Sequence, residues 1–265
     1  MKIFAFLAFA VLPAIAQAQG KGKTEVTWYG HAAFVVKTPG GTTLAIDPWI
    51  NNPSNKDKTA IDGIQKLDYI LISHGHSDHV GDTVALQKKT GAKIVASSDL
   101  GRQLAISAGV PKEATGLDTL GNAGGVIKLT DEVSVALVQA VHSSGFQADN
   151  GQLLEGGAPL GFVIQIKGGP TLYHTGDTAY FGEMKAIGER FHPDVLLACI
   201  GGHFTMDPQD AAKAARDTGA RSVVPMHYGT FPVLTGTPDE LAKALKKSAP
   251  RSKLVQLEIG KTRTF

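Results

Sequence analysis

The chain has 265 residues, of which 43% are hydrophobic and 19% are charged, and its formal net charge at pH 7 is only +2. A chain of this length can bury a substantial core as one large domain or two small ones. Its Lys and Arg residues are scattered rather than clustered, so we expect no nucleic-acid partner. Cys199 is the single cysteine, which excludes an intrachain disulfide, and its apolar neighbours indicate a small hydrophobic residue rather than a metal ligand.

Residues 1–18 have the form of a secretory signal peptide. One basic residue, Lys2, precedes an apolar segment that closes with the small residues Ala16 and Ala18. The segment is too short and wrongly flanked for a spanning helix, so cleavage after Ala18 is predicted, with an uncleaved membrane anchor as the alternative. We therefore expect an exported protein, periplasmic or secreted, that lies outside the membrane after cleavage.

The first half after this segment is predicted to contain strands and two helices. Apolar runs predict strands at residues 25–29, 34–38, 42–46, 68–73 and 93–96. Residues 51–58 form a polar loop. Helices are predicted at residues 81–90 and from Ser98 to Gly109. No tract of linker composition divides residues 24–265, which favours a single domain.

The second half changes from strands to alternating helices and strands. Further strands are predicted at residues 126–129, 133–141, 161–167, 171–174, 222–226 and 254–257. Asp207 before Pro208 and the capping box of Thr237 and Glu240 mark two helix starts. This pattern predicts an α/β fold in which two sheets pack together with helices on their outer faces.

The most informative segment is residues 74–79, where His74, His76, Asp78 and His79 fall within six positions directly after a predicted strand. Imidazole and carboxylate groups are ligands for Zn, Mn, Fe or Ni. If the segment stays extended, its period of two sends His74, His76 and Asp78 to one side and His79 elsewhere. One short loop can then serve two metal ions.

A loop of six residues supplies too few ligands to close two sites, so other strand ends must contribute. His142, Asp177 and His227 each lie just past the carboxyl end of a predicted strand, which is where open α/β sheets gather ligands. Taken singly, such an Asp is often a turn former, and such a His can satisfy buried backbone. The joint pattern favours a metal site.

These motifs resemble the metallo-β-lactamase superfamily of metal-dependent hydrolases over residues 24–265. The residues matching its ligand motifs in type and order are His74, His76, Asp78, His79, His142, Asp177 and His227. The segments 27–32, 46–49, 142–145, 174–178 and 225–230 look more narrowly like largely uncharacterised hydrolases near the ascorbate-phosphate lactonases. The predicted export signal distinguishes this chain from the proteins of that branch, which are expected to be cytoplasmic.

The resemblance implies an αββα sandwich that holds two divalent ions. His74, His76 and His142 would bind one ion, while Asp78, His79 and His227 would bind the other. The Asp177 carboxylate would bridge both, and Asp47 would support the ligand loop. Zinc is the first expectation for the metal, with Mn, Fe or Ni as alternatives, because this ligand set accepts them all.

The expected chemistry is hydrolysis of a small ester, lactone, amide or phosphoester by a metal-bridging hydroxide. Two ions lower the pKa of a shared water from 15.7 toward about 7. Asp78 would orient the nucleophile or accept its proton, and Tyr228 is expected to act as an oxyanion donor. His31 is predicted to support a ligand or contact substrate, with a plain structural hydrogen bond as the alternative, and the first two roles are less expected for His174 and His203. Neither a G-x-S-x-G elbow nor a P-loop occurs.

Two alternatives stay open: an exported metal-binding protein without turnover, and a phosphodiesterase. The weak basic balance counts against a nuclease. The expected partner is a small-molecule substrate, and a homo-oligomer is left open.

Overall fold

A computed structural model describes residues 23–148 and 150–265. The predicted signal peptide at residues 1–18 lies outside the described residues. Within them, no helix combines the length and apolar character that crossing a membrane requires.

The first of two seven-stranded sheets is built mainly from the amino-terminal half. Its strands are β1 (Glu25–Trp28), β2 (Phe34–Lys37), β3 (Thr43–Ile46), β4 (Tyr69–Leu71), β5 (Lys93–Ser97), β6 (Leu120–Gly121) and β16 (Thr262–Thr264), in the order β16-β1-β2-β3-β4-β5-β6. The ladders are antiparallel from β16 to β3 and parallel from β3 to β6. Strands β1, β3, β4 and β5 therefore end at one edge of the sheet.

The second sheet has the order β15-β14-β13-β12-β11-β8-β7. Its strands are β7 (Val126–Lys128), β8 (Val133–Gln139), β11 (Leu160–Ile166), β12 (Leu172–His174), β13 (Val195–Cys199), β14 (Ser222–Met226) and β15 (Lys253–Leu254). Strand β11 is antiparallel to both β8 and β12, and β12 to β15 are mutually parallel. Because β11 runs opposite to both of its neighbours, β8 and β12 run in the same direction. Strands β8, β12, β13 and β14 therefore end at a common edge.

Among the described residues, a separate hairpin and seven α-helices complete the fold. The hairpin pairs β9 (Gly145–Gln147) with β10 (Leu153–Glu155). The helices are α1 (Ala60–Gly63), α2 (Ser77–Val80), α3 (Thr83–Thr90), α4 (Ser98–Ser107), α5 (Met184–Phe191), α6 (Pro208–Thr218) and α7 (Pro238–Ser248). The predicted caps of the last two are present: Asp207 accepts the Asp210 N–H, and Thr237 forms the capping box with Glu240.

Successive side chains of a strand point to opposite faces of its sheet, so each sheet packs on the other sheet with one face and on helices with the other. This arrangement gives four layers: helices, sheet, sheet and helices. In β3, Leu44 and Ile46 pack in the large core that joins the two sheets, whereas Ala45 packs in a second core beneath α3 and α4. The large core continues through the second sheet to the apolar faces of α6 and α7, including Ala211 and Leu241. The αββα architecture expected from the resemblance is confirmed.

Two local expectations were wrong. Residues 77–80 form the short helix α2 instead of extended chain, so a period of two does not decide where Asp78 and His79 point. The helix expected at residues 81–90 begins only at Thr83, after a break at Gly81, where a Cβ would lie 2.6 Å from the Trp49 backbone. Close contact with the turn after β3 therefore decides this boundary.

Candidate metal centre

Backbone bonds join the two sheets at the edge where their strands end. The Leu160 N–H donates to the Ser73 carbonyl at 2.9 Å, and the His227 N–H donates to the His31 carbonyl at 2.9 Å. Turns that are far apart in sequence are thereby held against each other.

Asp47 organises the histidine loop from the end of β3, beside β4. Its Oδ1 accepts the Ser73 N–H at 2.7 Å, and its Oδ2 accepts the Ser73 hydroxyl at 2.6 Å. The same Oδ2 lies 2.8 Å from Nδ1 of His79. Asp47 is fully buried, so it holds this loop without competition from water. The supporting role expected for it fits this position.

These bonds decide the tautomers of two histidines. Because the Ser73 hydroxyl proton goes to Asp47, its Oγ accepts from Nδ1 of His74, 2.9 Å away. His79 likewise donates its Nδ1 proton to Asp47. In both rings the proton on Nδ1 makes Nε2 the nitrogen that can face a metal ion.

The first group of potential ligands is formed by His74, His76 and His142, whose ligand atoms all lie within 4.8 Å of one another. The loop after β4 supplies the first two, and the turn after β8 supplies the third. The Nε2 of His74 is 2.9 Å from Nδ1 of His76. Gly75 lets the Gly145 backbone lie against this loop, because a Cβ on Gly75 would lie 3.1 Å from that backbone.

The second group contains His31, Asp78, His79 and His227, again within 4.8 Å of one another. Asp78 and His79 both come from α2 and both join this group. The Oδ2 of Asp78 lies 3.8 Å from Nε2 of His227 and 3.9 Å from Nε2 of His79.

Asp177 lies between the two groups. Its Oδ2 is 2.8 Å from Nε2 of His227, 3.2 Å from Nε2 of His79 and 3.6 Å from Nε2 of His142. One carboxylate oxygen thus faces imidazoles of both groups. All seven residues expected as ligands are brought together.

Unsatisfied buried atoms indicate that a cation fits here. Among the described residues, the buried side-chain atoms without a hydrogen-bond partner include Oδ1 of Asp177 and Nδ1 of His227. Buried polar atoms are rarely left unpaired in folded proteins. Nitrogen and carboxylate oxygen ligands suit Zn, Mn, Fe or Ni, so divalent ions of this kind match the donor set.

Electrostatics keeps His74, His76, His142 and Asp177 in the forms that bind metals, whereas Asp177 and Asp47 raise the pKa of His79 despite its burial. Burial, reinforced by the nearby His79, lowers the pKa of His74 well below 6.5. Burial also lowers the pKa values of His76 and His142. For Asp177, burial acts to raise the pKa, but the adjacent His227 and His79 outweigh it and hold the value well below 3.8. Neutral imidazoles beside an ionised carboxylate are the ligand forms.

Backbone strain is concentrated at this edge. Five non-glycine residues have positive φ among the described residues, and three of them belong to the site: His31 at 51°, Asp47 at 43° and His227 at 55°. Such conformations are uncommon for these side chains and persist where the surrounding structure imposes them.

His31 is fully buried, which leaves it no surface for a substrate. Its Nε2 lies 3.0 Å from Oδ2 of Asp78, and its Nδ1 lies 2.9 Å from Oγ1 of Thr230. Burial lowers its pKa to about 4, although the hydrogen bond to Asp78 opposes this. Of its two expected roles, the position fits support of a ligand and not substrate contact.

The Tyr228 side chain packs on Trp28 and not on the potential metal ligands. Its ring stacks on Trp28 with centroids 5.6 Å apart, and the Gln256 side chain lies at its hydroxyl. The structure does not bring it to the ligands, and its role as an oxyanion donor stays a prediction.

The other two histidines considered for the site have different environments. His174 is buried, and its Nε2 lies 3.1 Å from the Ala32 carbonyl, which makes it part of the packing between the sheets. His203 is exposed. Both agree with the lesser roles expected for them.

Sequence reasoning missed two hydroxyl groups that support the ligands. Ser73 connects Asp47 to His74, and Thr230 contacts His31. The available signal was their position: Ser73 directly precedes the histidine loop, and Thr230 follows His227 by three residues.

Comparisons with known proteins agree with this geometry. Residues 42–228 match the family model described as a β-lactamase superfamily domain. A "UPF0173 metal-dependent hydrolase" of Anaeromyxobacter sp. (strain K) is 58% identical over 246 residues, which cover 92% of this chain and 88% of that protein.

Solved structures extend the comparison. Igni18, a metallo hydrolase from the archaeon Ignicoccus hospitalis KIN4/I, is 36% identical with a TM-score of 0.78, covering 92% of this chain and 98% of that one. The metallo-β-lactamase fold protein YhfI of Bacillus subtilis has a TM-score of 0.67 at 15% identity over 92% of this chain and 100% of that one, which shows the shared fold alone. The chain belongs to the UPF0173 group of the metallo-β-lactamase superfamily and is a metal-dependent hydrolase.

Proposed function

We propose that this hydrolase works with two divalent ions and cleaves a small ester, lactone, amide or phosphoester. The observation that carries the proposal is the placement of Asp177 Oδ2 within 3.6 Å of imidazoles from both ligand groups. His74, His76 and His142 would hold one ion and Asp78, His79 and His227 the other, with Asp177 shared. Zinc is the first candidate, and Mn, Fe or Ni also suit the donors.

When bound, such ions lower the pKa of a water molecule and polarise a carbonyl or phosphoryl oxygen. The chain supplies the positioning. Asp47 and Ser73 hold His74 and His79 with Nε2 toward the centre. Asp78 is 23% exposed, whereas the Asp177 side chain is only 3% exposed, so Asp78 is the carboxylate that faces solvent. Its Oδ2 is the proposed acceptor of a proton from the attacking water.

Metal analysis and a substrate panel test this function together. The purified protein should contain close to two equivalents of divalent metal by elemental analysis, and it should hydrolyse at least one ester, lactone, amide or phosphodiester reporter. His76→Ala and Asp78→Ala should lose metal and activity together. Asp118→Ala, at an exposed aspartate paired with Lys93, is the matched control and should retain both.

The results separate the alternatives. Full activity in metal-free protein would refute the proposal. Two bound ions with no turnover across the panel would favour the metal-binding alternative, and turnover confined to bis-aryl phosphates would favour the phosphodiesterase.

We further propose that residues 24–265 act as one exported domain after removal of residues 1–18, as the amino-terminal sequence pattern predicts. Expression of the full chain in a bacterial host, followed by amino-terminal sequencing of the periplasmic and secreted fractions, tests this. Mature protein beginning after Ala18 is expected. Intact Met1 in a membrane fraction would favour the anchor instead.

A further inference from the structure

The turns around the metal centre contain neither Lys nor Arg. The turns after β1, β3, β4, β8, β12, β13 and β14 span residues 29–33, 47–55, 72–82, 140–159, 175–183, 200–207 and 227–237, and all 26 basic residues of the chain lie outside them. Lys261 lies at the same edge, in the segment between β15 and β16. Lys56, the next residue after the second of these turns, donates its ammonium to the Pro53 carbonyl at 3.1 Å. These turns therefore offer no cationic side chain to a substrate.

Anion recognition depends on such side chains. Proteins bind phosphate and carboxylate groups most strongly through Arg and Lys, whose charged hydrogen bonds are about twice as strong as neutral ones. Metal ions at the reacting centre could neutralise the scissile group itself. A second anionic group on the substrate would meet no Lys or Arg side chain from these turns.

Exposed apolar side chains are concentrated in the same turns. Eight large hydrophobic residues are exposed among the described residues, and those that belong to these turns are Val141, Leu153, Phe204, Phe231 and Val233. We call this set the apolar rim. Exposed apolar groups that gather around a site commonly mark a binding surface.

Contacts connect the apolar rim to the ligands. The Phe231 ring lies 5.8 Å from the rings of both Trp49 and His31. Val141 directly precedes His142, and Leu153 packs on Gly145, whose backbone lies against Gly75 in the histidine loop. The rim therefore approaches the centre from the turn after β14, the turn after β8 and the β9–β10 hairpin.

We infer that the substrate is a neutral carboxylic ester or lactone carrying an apolar group, and not a phosphoester or a substrate with a second anionic group. The inference rests on the proposed function and narrows its substrate class. In the reaction, water oxygen bonds to the acyl carbon, the acyl C–O bond breaks, and the leaving oxygen takes a proton. An ester yields an acid and an alcohol, and a lactone yields one hydroxy acid.

Matched reporters test this on the metallated protein. p-Nitrophenyl octanoate and acetate differ only in acyl chain, γ-nonalactone and γ-butyrolactone differ only in alkyl substituent, and bis(p-nitrophenyl) phosphate supplies the anionic case. kcat/KM should be about tenfold or more higher for the longer member of each pair, because added methylenes bind apolar surface. The phosphodiester should be the poorest substrate. His76→Ala protein serves as the blank for spontaneous hydrolysis.

Variants connect the preference to the rim. Phe231→Ala should lower kcat/KM for the octanoate by about tenfold, mainly through KM, and change the acetate little. Val233→Ser provides a second test in case Phe231→Ala disturbs Trp49, on which Phe231 stacks. Val233 is more exposed than Phe231, and its replacement should also lower kcat/KM for the octanoate. Leu117→Ala is the matched control, because Leu117 is exposed but precedes β6 and so lies at the opposite sheet edge.

The possible results are distinct. The inference is supported if the wild-type protein prefers the longer reporters and the variants of the apolar rim lose this preference. Equal rates for long and short reporters, or faster cleavage of the phosphodiester, would overturn it while leaving the hydrolase function intact. Absence of turnover on every reporter by protein with full metal content would count against the proposed function as well.

Discussion

The Nε2 atom of His31 lies 3.0 Å from Oδ2 of Asp78, although the two residues are 47 positions apart. An ionised Asp78 can only accept, so His31 donates from Nε2 and its Nδ1 accepts from Thr230. His31 then has no lone pair directed at the second ligand group. It positions Asp78 rather than binding a metal ion itself.

Removal of His31 should therefore weaken metal binding through Asp78. His31→Ala should lower the affinity for one of two ions by about 10–100-fold, as loss of a supporting partner does in other metal sites. Competition with a chromogenic chelator measures this. His31→Gln, which can keep a donor near the Nε2 position, should recover part of the affinity. An unchanged affinity in His31→Ala would show that Asp78 needs no such support.

Asp47 should contribute strongly to the stability of the metal-free protein. Asp47→Ala leaves the Ser73 N–H, the Ser73 hydroxyl and Nδ1 of His79 without their buried acceptor. We expect a loss of about 2–4 kcal/mol in the free energy of unfolding, measured with urea in the presence of chelator. Asp118→Ala, at an exposed aspartate, should change it by less than about 0.5 kcal/mol. Similar values for the two variants would contradict the assignment.

Acid should destabilise the metal-free protein. Burial lowers the pKa of His74 well below 6.5 and that of His31 to about 4. Below pH 6.5 the unfolded chain binds protons that the folded chain does not, so stability falls as the pH drops toward 4. His79 acts in the opposite sense, because Asp177 and Asp47 raise its pKa despite burial.

Urea unfolding at several pH values between 4 and 7 checks this balance, with chelator present throughout. His74→Leu removes one titrating group and should flatten the dependence. A stability that rises steadily on acidification would show that His79 outweighs the other histidines.

Cys199 should be inert in the folded protein. It is fully buried in β13, and burial together with the nearby Asp177 raises the pKa of its thiol to about 11. Because the thiolate is the reactive form, an aromatic disulfide reagent should label Cys199 at neutral pH only after denaturation. Rapid labelling of native protein would contradict this burial. The expectation of a small hydrophobic residue agrees with its position.

Local patterns in the sequence predicted most of the strands and two helix starts, and the strand ends at which the potential ligands lie. The strand 222–226 has the predicted limits, and the caps at Asp207 and Thr237 start α6 and α7 as expected. The secondary structure was predicted wrongly where contacts between residues far apart in sequence determine it. Strand β16 forms only by pairing with β1 across most of the chain, and α2 begins at Ser77 inside a segment that was expected to be extended.

The sequence by itself determined which groups can bind metal, because imidazoles and carboxylates after strand ends are legible in the order of residues. It also determined the layered α/β architecture, since alternation and capping act over a few positions. The tertiary structure alone decided that α2 carries Asp78 and His79 into one group, that Asp177 faces both groups, and that His31 donates to Asp78. These relationships depend on how two sheets meet, and contacts between positions far apart leave no periodic signal in the chain.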